Sequence, residues 1–166
     1  PASFRFGTPI NRVSVAQADW PTRHLDILRG AYRGCQNFKT VWADVEGIYA
    51  AIPQDNLAEI NRYLVEAFAL KLGLTCRFVV SSEIDTGGAT GDDRLIGILK
   101  SVPNATTYLS GRGGADYQDE EKFSASDIQL AYTDFVADAY PQPDAPFSSG
   151  LSVVDAVFNV GWEHTH

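Results

Sequence analysis

Residues 106–123 constrain the fold more than any other part of the sequence. Residues 106–109 are β-branched, aromatic or leucine, which favours a β-strand. This strand breaks at Ser110 into a run of glycines around Arg112, and an acidic helix start follows. Glycine lets a backbone turn sharply and approach a bound group closely. A strand ending in such a loop predicts an α/β fold with a ligand site at the loop.

The apolar pattern before this run predicts three helices. Helical spacing recurs from Asp19 to Gly34, from Phe38 to Pro53 and from Asn56 to Leu72. Asp19 is a candidate cap before the first helix, and Gly73 is a natural stop after the third. Residues 1–15 mix apolar residues with glycine and proline, which indicates short extended edge structure.

The second half predicts a βαβαβ unit. Residues 76–80 form a short apolar run typical of a buried parallel strand, and a helix begins near Asp92. The strand at 106–109, a short helix over 119–123 and a third strand over 128–135 complete it, with a final helix over 151–160. The expected fold is α/β, with N-terminal helices packed on a small, mainly parallel sheet in a Rossmann-like three-layer arrangement with right-handed crossovers.

Composition narrows the class of protein. The 166 residues, of which 45% are hydrophobic, predict a single domain. The net charge of -8 and the lack of lysine or arginine clusters argue against binding to nucleic acid or anionic membranes. No apolar run approaches roughly 20 residues and no signal sequence is evident, which predicts a cytoplasmic protein. The start at Pro1 without any methionine is expected of a fragment of a longer product.

The sequence lacks the motifs of several common kinds of reactive site. Cys35 and Cys76 belong to no CxxC or Cys/His group, so we expect two partly buried thiols. There is no GxSxG elbow and no HExxH, and two of the three histidines lie among the last three residues. We therefore expect no metal, no cofactor and a small anionic molecule as the partner.

Two loops are candidates for binding an anion. The first, residues 81–93, offers the hydroxyls of Ser81 and Ser82, but Asp92 and Asp93 would repel phosphate, so a merely capped helix start is the alternative. The second contains Ser110, Gly111, Arg112 and Gly113. No carboxylate is closer in sequence to Arg112 than Asp116, which leaves its guanidinium for a phosphate or carboxylate. The alternative is a surface arginine in a tight turn.

The last helix carries a polar stripe beside an apolar stripe. The polar stripe either faces solvent or lines the site, where Asp155 would be a base or a positioning group aided by its neighbours. The polar residues are Ser152, Asp155 and Asn159, and the apolar residues, which we expect to be buried, are Leu151, Val154 and Phe158.

Several segments have a familiar order and spacing: TTYLSGRGGADYQDEEKF, residues 128–135, Tyr140 with Pro141 and Gln142, LSVVDAVFNVG, SSEID at 81–85, DRLI at 93–96 and ADWPTRHLDILRGAY. In both respects the sequence closely resembles the WbqC-like family of bacterial proteins. Members usually begin with a further strand and loop bearing a glutamine-proline-tyrosine-like segment, which is missing before Pro1.

The resemblance implies a setting in the biosynthesis of O-antigen and other surface polysaccharides. Together with the glycine loops, it leads us to expect a transferase that acts on a nucleotide-linked sugar or a similar anionic metabolite. The alternative is a noncatalytic binding or assembly partner of a sugar-modifying enzyme. The sequence leaves the sugar, the donor group and the oligomeric state open.

Overall fold

The computed structural model describes residues 5–53, 55–143 and 146–165. These residues form two compact units: unit 1 takes the chain up to Arg77 and from Ala137 onward, and unit 2 takes Phe78–Val136. The regular elements are α1 Trp20–Tyr32, α2 Phe38–Ala50, α3 Leu57–Lys71, α4 Gly91–Ser101, β1 Thr107–Ser110, α5 Glu120–Ser124, β2 Gln129–Tyr132 and α6 Val153–Val160. Short 3-10 turns accompany them. The fold is a helix-rich α/β mixture.

The three helices predicted for the first half are confirmed. The side-chain oxygen of Asn56 accepts hydrogen bonds from the amides of Ala58 and Glu59 at 3.0 and 3.2 Å, which caps α3. Gly73 ends this helix with a φ of 71°, a conformation that favours glycine. Asp19 precedes α1, but its side chain makes no capping hydrogen bond. A single antiparallel bridge joins Ser14 to Asn56.

An aromatic cluster forms the core of unit 1. Phe158 of α6 is fully buried and stacks on Tyr32 of α1, with ring centroids 4.7 Å apart and planes at 9°. Two aromatic rings of α2 lie close to it as well, Phe38 at 5.8 Å and Trp42 at 6.4 Å. The helix faces that meet in this core are therefore lined by aromatic side chains. Three fully buried valines pack in the same cluster: Val41, Val45 and Val157.

Asp44 of α2 ties three elements of unit 1 together. Its carboxylate accepts a hydrogen bond from Lys71 Nζ at 2.5 Å and another from Trp162 Nε1 at 3.0 Å. Lys71 ends α3, and Trp162 begins the short turn after α6. One half-buried carboxylate thus links α2 to α3 and to the C-terminal turn.

Unit 2 is built on a small parallel sheet. β1 pairs with β2 from Thr107 opposite Gln129 to Ser110 opposite Tyr132, and α5 connects the two strands. One face of the sheet packs on α4 and α5, where Tyr108 stacks on the fully buried Phe123 at 5.6 Å. On the other face Leu109 is 66% exposed.

The predicted βαβαβ arrangement is reduced to a single βαβ step in the described part of the chain. Residues 76–80 form no ladder and are mostly exposed, so the prediction of a buried strand there is wrong. A short apolar run shows no period that separates a strand from an extended connection. The last strand ends at Tyr132, and Phe135 is exposed. A three-layer Rossmann-like sheet is not what these residues form.

No helix in the described ranges is both long enough and apolar enough to cross a membrane.

Candidate functional site

Asp155 lies at the centre of a polar cluster inside unit 1. This residue is only 6% exposed. The oxygen Oδ2 accepts hydrogen bonds from the Tyr140 hydroxyl at 2.8 Å, from Gln142 Nε2 at 3.0 Å and from Asn159 Nδ2 at 3.3 Å. A carboxylate removed from water is costly unless donors surround it, and here three side chains supply them.

The start of α6 explains why Asp155 points into this cluster. Ser152 caps the helix, since its hydroxyl accepts a hydrogen bond from the amide of Val154 at 3.3 Å. Asp155 then falls in the first turn, where the helix dipole favours an acid. Asn159 lies one turn later, and its amide also donates to the Asp155 carbonyl at 2.9 Å. Asn37 Nδ2 donates to the Asn159 carbonyl at 2.8 Å, which fixes the end of the helix.

Gln142 holds the chain before α6 against this cluster. Its Nε2 donates to the Ser148 carbonyl at 3.1 Å as well as to Asp155, and its Oε1 accepts from the Ser148 amide at 2.8 Å. Sequence reasoning missed Tyr140 and Gln142 as partners of Asp155. The available signal was a pair of hydrogen-bonding side chains among prolines just before a helix with an acid in its first turn.

Two phenols and a thiol in the cluster are held in their protonated forms. Burial first, and then the charge of Asp155, raise the pKa of Tyr32 to about 12. Burial, and then the hydrogen bond that its own hydroxyl donates to Asp155, raise the pKa of Tyr140. Burial, followed by the charge of Asp155, raises the pKa of the Cys35 thiol. The cluster can therefore donate hydrogen bonds, while Cys35 is a poor nucleophile.

We expect a thiol reagent to label Cys76 and to spare Cys35 in the folded protein. Cys76 is exposed, whereas Cys35 is buried with a raised thiol pKa, and labelling requires an accessible thiolate. Intact-mass measurement should show one label on the parent protein and on Cys35→Ser, and none on Cys76→Ser until urea unfolds it. Fast labelling of Cys76→Ser under native conditions would contradict the burial of Cys35.

The predicted stripes of the last helix are only partly correct. Asp155 and Asn159 come together, but the Ser152 hydroxyl is used for capping. The solvated alternative does not hold for Asp155, which is buried. Phe158 is buried as predicted and Val154 is half-buried against the core, whereas Leu151 is 50% exposed. Leu151 precedes the cap, so the helical period does not reach it.

The glycine loop of unit 2 gives Arg112 a partner that was not expected. Its guanidinium forms an ion pair with Asp134, and the two side chains are 72% and 77% exposed. The reason is the parallel register, in which Ser110 lies opposite Tyr132. Arg112 and Asp134 each follow their strand by two residues, so both emerge at the same end of the sheet. The expectation of a guanidinium without a neighbouring acid was wrong.

The glycines of this loop differ in what surrounds them. Gly111 has an ordinary φ of -66°, and a methyl group built on Gly111 or Gly113 would meet nothing within 4 Å. A methyl group on Gly114 would collide with the Ser110 hydroxyl and with Gln118 Oε1. Ser110 is buried, so its hydroxyl belongs to this packing. Open space therefore lies along Gly111 and Gly113, on either side of Arg112.

Ser81 and Ser82 lie in a short exposed turn of unit 2, and neither hydroxyl bonds to another described residue. Arg94 supports the turn, donating to the Ser81 carbonyl at 3.2 Å and to Thr86 Oγ1 at 3.3 Å. The Arg112 loop follows β1 at one edge of the sheet. Because residues 76–80 form no strand, the Ser81 turn does not follow a strand of that sheet.

The two acids at the start of α4 are used within unit 2. Asp92 Oδ2 accepts a hydrogen bond from the Asp119 amide at 2.9 Å, and Asp93 pairs with Lys122 at 3.2 Å. Both acids lie in the first turn of α4, where they complement the helix dipole, but neither side chain caps the helix. Across the described ranges, no group of three or more histidine, cysteine, aspartate or glutamate side chains is placed to hold a metal ion.

Comparison with known proteins places the chain in a family. It is 28% identical over 160 residues to the uncharacterized protein Rv1507c of Mycobacterium tuberculosis, a match that covers 96% of this chain and 68% of that protein. No solved structure matches it. The sequence profile of the WbqC-like protein family matches residues 4–166, which include both the Asp155 cluster and the Arg112 loop. The chain therefore belongs to the WbqC-like protein family.

Proposed function

We propose that the chain binds a nucleotide-linked sugar or a similar anionic metabolite and acts as a transferase in bacterial polysaccharide biosynthesis. The observation that carries the proposal is the exposed guanidinium of Arg112 between two glycines that face open space. A guanidinium binds phosphate through two parallel hydrogen bonds, and glycine lets that phosphate approach the backbone.

The ion pair with Asp134 does not block such a ligand. Exposed ion pairs contribute about 0 to 1 kcal/mol, because water screens both charges. A diphosphate carries more charge than one carboxylate and offers more acceptor oxygens, so it would displace Asp134 from Arg112. Asp134 would then compete with the ligand for Arg112.

The remaining candidate residues receive separate roles. Ser81 and Ser82 of unit 2, whose hydroxyls are exposed, are the second candidates for binding the anionic group. In unit 1, Asp155 is the candidate base or positioning group, with Asn159 bonded to it directly and Ser152 holding the helix start. The protonated phenols of Tyr32 and Tyr140 supply hydrogen-bond donors beside it.

A noncatalytic assembly partner is the rival function. The hydrogen bonds of Asp155 favour it. They join Tyr140, Gln142 and Asn159 through one carboxylate oxygen, as in a structural cluster. Binding of nucleotide sugars separates the two proposals, because an assembly partner has no need of them.

Calorimetry with UDP-, GDP- and dTDP-linked hexoses tests the proposal. We expect at least one to bind, Arg112→Lys to weaken it about tenfold or more because the planar fork is lost, and Asp134→Asn to strengthen it. Arg62→Lys is the matched control, since Arg62 is an exposed arginine paired with Glu66 in α3. Absence of binding would favour the rival, and binding unaffected by Arg112→Lys would move the anion site to the Ser81 turn.

A further inference from the structure

Unit 1 contains a second candidate site, a cleft of about 400 Å³ that none of the roles above uses. The cleft lies among α1, α2, α3 and the segment just before α1. Its floor is the buried side chain of Ile60, and its walls are the rings of Trp20, His24 and Tyr49. A concave, mostly apolar surface with a few polar groups is the usual form of a small-molecule site.

The charges around the cleft argue for a neutral ligand. Among the described residues that line it there is no aspartate, glutamate, lysine or arginine. The polar groups at its edge are the amides of Gln17 and Asn61, the Tyr49 hydroxyl and the His24 ring. The lining itself therefore carries no fixed charge, and the guanidinium of Arg23, which binds Gln17 at the edge, lies outside it.

The polar groups of the cleft have spare hydrogen-bonding capacity. Within the described part of the chain, the side chains of His24, Tyr49 and Asn61 make no hydrogen bond. Gln17 Oε1 accepts from Arg23 Nη1 at 2.5 Å, which leaves its Nε2 group as a donor. Burial raises the pKa of Tyr49, so its hydroxyl stays protonated and can donate. Amide and hydroxyl groups of this kind match the hydroxyls of a sugar.

The angles between the rings decide against a flat ligand. Trp20 and His24 meet edge to face at 82° with centroids 5.0 Å apart. Tyr49 is tilted by 57° from Trp20 and by 53° from His24. No two of these rings are parallel, so they do not form a slot that would sandwich a nucleobase. They form an apolar corner, which suits the C–H face of a pyranose chair while its hydroxyls point to the edge.

We propose that the cleft between Trp20, His24 and Tyr49 binds a neutral pyranose unit. The inference rests on this cleft alone and does not depend on anion binding at Arg112. Such a pocket could hold a saccharide whether or not the chain is a transferase.

Binding of methyl glycosides tests the proposal on the intact chain. The probes are the methyl glycosides of glucose, galactose, mannose and N-acetylglucosamine, with adenosine and uridine as flat comparison ligands. We expect saturation-transfer NMR and calorimetry to show one glycoside binding with a Kd of about 1 mM or tighter, and no nucleoside binding that Trp20→Ala weakens. Trp20→Ala should lower the affinity at least about tenfold, since it removes one wall.

A second variant covers the chance that Trp20→Ala does not fold. Asn61 is exposed at the edge of the cleft, so Asn61→Ala should fold normally and weaken the glycoside severalfold by removing a hydrogen bond. Gln36→Ala, an exposed amide of unit 1 outside the cleft, should have no effect. Arg112→Lys should also leave glycoside binding unchanged, which separates this site from the anion site.

Three results would each overturn the proposal. The first is saturation by none of the glycosides. The second is nucleoside binding that is tighter than that of every glycoside and that Trp20→Ala or Asn61→Ala weakens. The third is glycoside binding that neither Trp20→Ala nor Asn61→Ala weakens, which would place the saccharide elsewhere on the chain.

Discussion

Replacing Phe158 with alanine should destabilise unit 1 by about 3 to 5 kcal/mol. Phe158 is fully buried, and its ring stacks on Tyr32 and lies close to Phe38 and Trp42. Alanine would lose these contacts and leave a cavity that aromatic neighbours from two other helices cannot fill together. Urea unfolding followed by tryptophan fluorescence measures the change, because all three tryptophans lie in unit 1.

Leu151→Ala is the matched control for Phe158→Ala. Leu151 belongs to the same predicted stripe but precedes α6 and is half exposed, so its truncation should cost less than about 1 kcal/mol. A loss for Phe158→Ala as small as that of the control would show that the ring is not packed in the core.

Replacing Asp155 with alanine should destabilise unit 1 by about 3 kcal/mol. The donors of Tyr140, Gln142 and Asn159 would lose their common acceptor while remaining away from water. The same urea titration measures the loss. Asp26→Ala removes an exposed acid on α1 that pairs with Arg29 only at 3.9 Å, and it should change stability by less than about 0.5 kcal/mol. Equal stabilities of these two variants would contradict a structural role for the Asp155 cluster.

Titration of Tyr32 gives a second readout of Asp155 that depends on charge. Because the pKa of Tyr32 is raised from 10.0 to about 12, the folded state loses stability as the pH rises through this interval. Asp155→Asn removes the charge but not the burial, so the pKa of Tyr32 should fall while remaining above 10.0. Ultraviolet absorbance of the ionised phenols, taken as the difference between each variant and its Tyr32→Phe counterpart, isolates Tyr32 from the other six tyrosines. An unaltered difference curve would mean that Tyr32 does not sense the carboxylate.

The helices were predictable because each carries its own period. The apolar residues of α1, α2 and α3 recur at helical spacing, and local signals such as Asn56 and Gly73 mark the ends of α3. Residues 76–80 show the limit of this reasoning. Their apolar composition indicates burial, but whether a strand forms depends on a neighbouring strand, which local sequence does not specify.

The contacts of the candidate sites were less predictable because they join distant residues. Arg112 meets Asp134 through the register of β1 and β2, so a search for acids near Arg112 in the sequence missed it. Asp155 and Asn159 share a helix face, which spacing revealed, whereas Tyr140 and Gln142 reach Asp155 through an irregular segment. Such a segment has no period from which the direction of a side chain follows.

Unit 2 interrupts unit 1 in the sequence, and this has a consequence for the order of folding. The contacts of β1, α5 and β2 are local, so unit 2 can form as soon as its own residues collapse. The stacking of Phe158 on Tyr32 joins the two ends of unit 1 across the whole of unit 2. The entropy of closing that long loop has to be met before the aromatic core gains any contact. Prior folding of unit 2 shortens the unstructured loop between the two parts of unit 1. It thereby lowers the entropic cost of assembling the aromatic core.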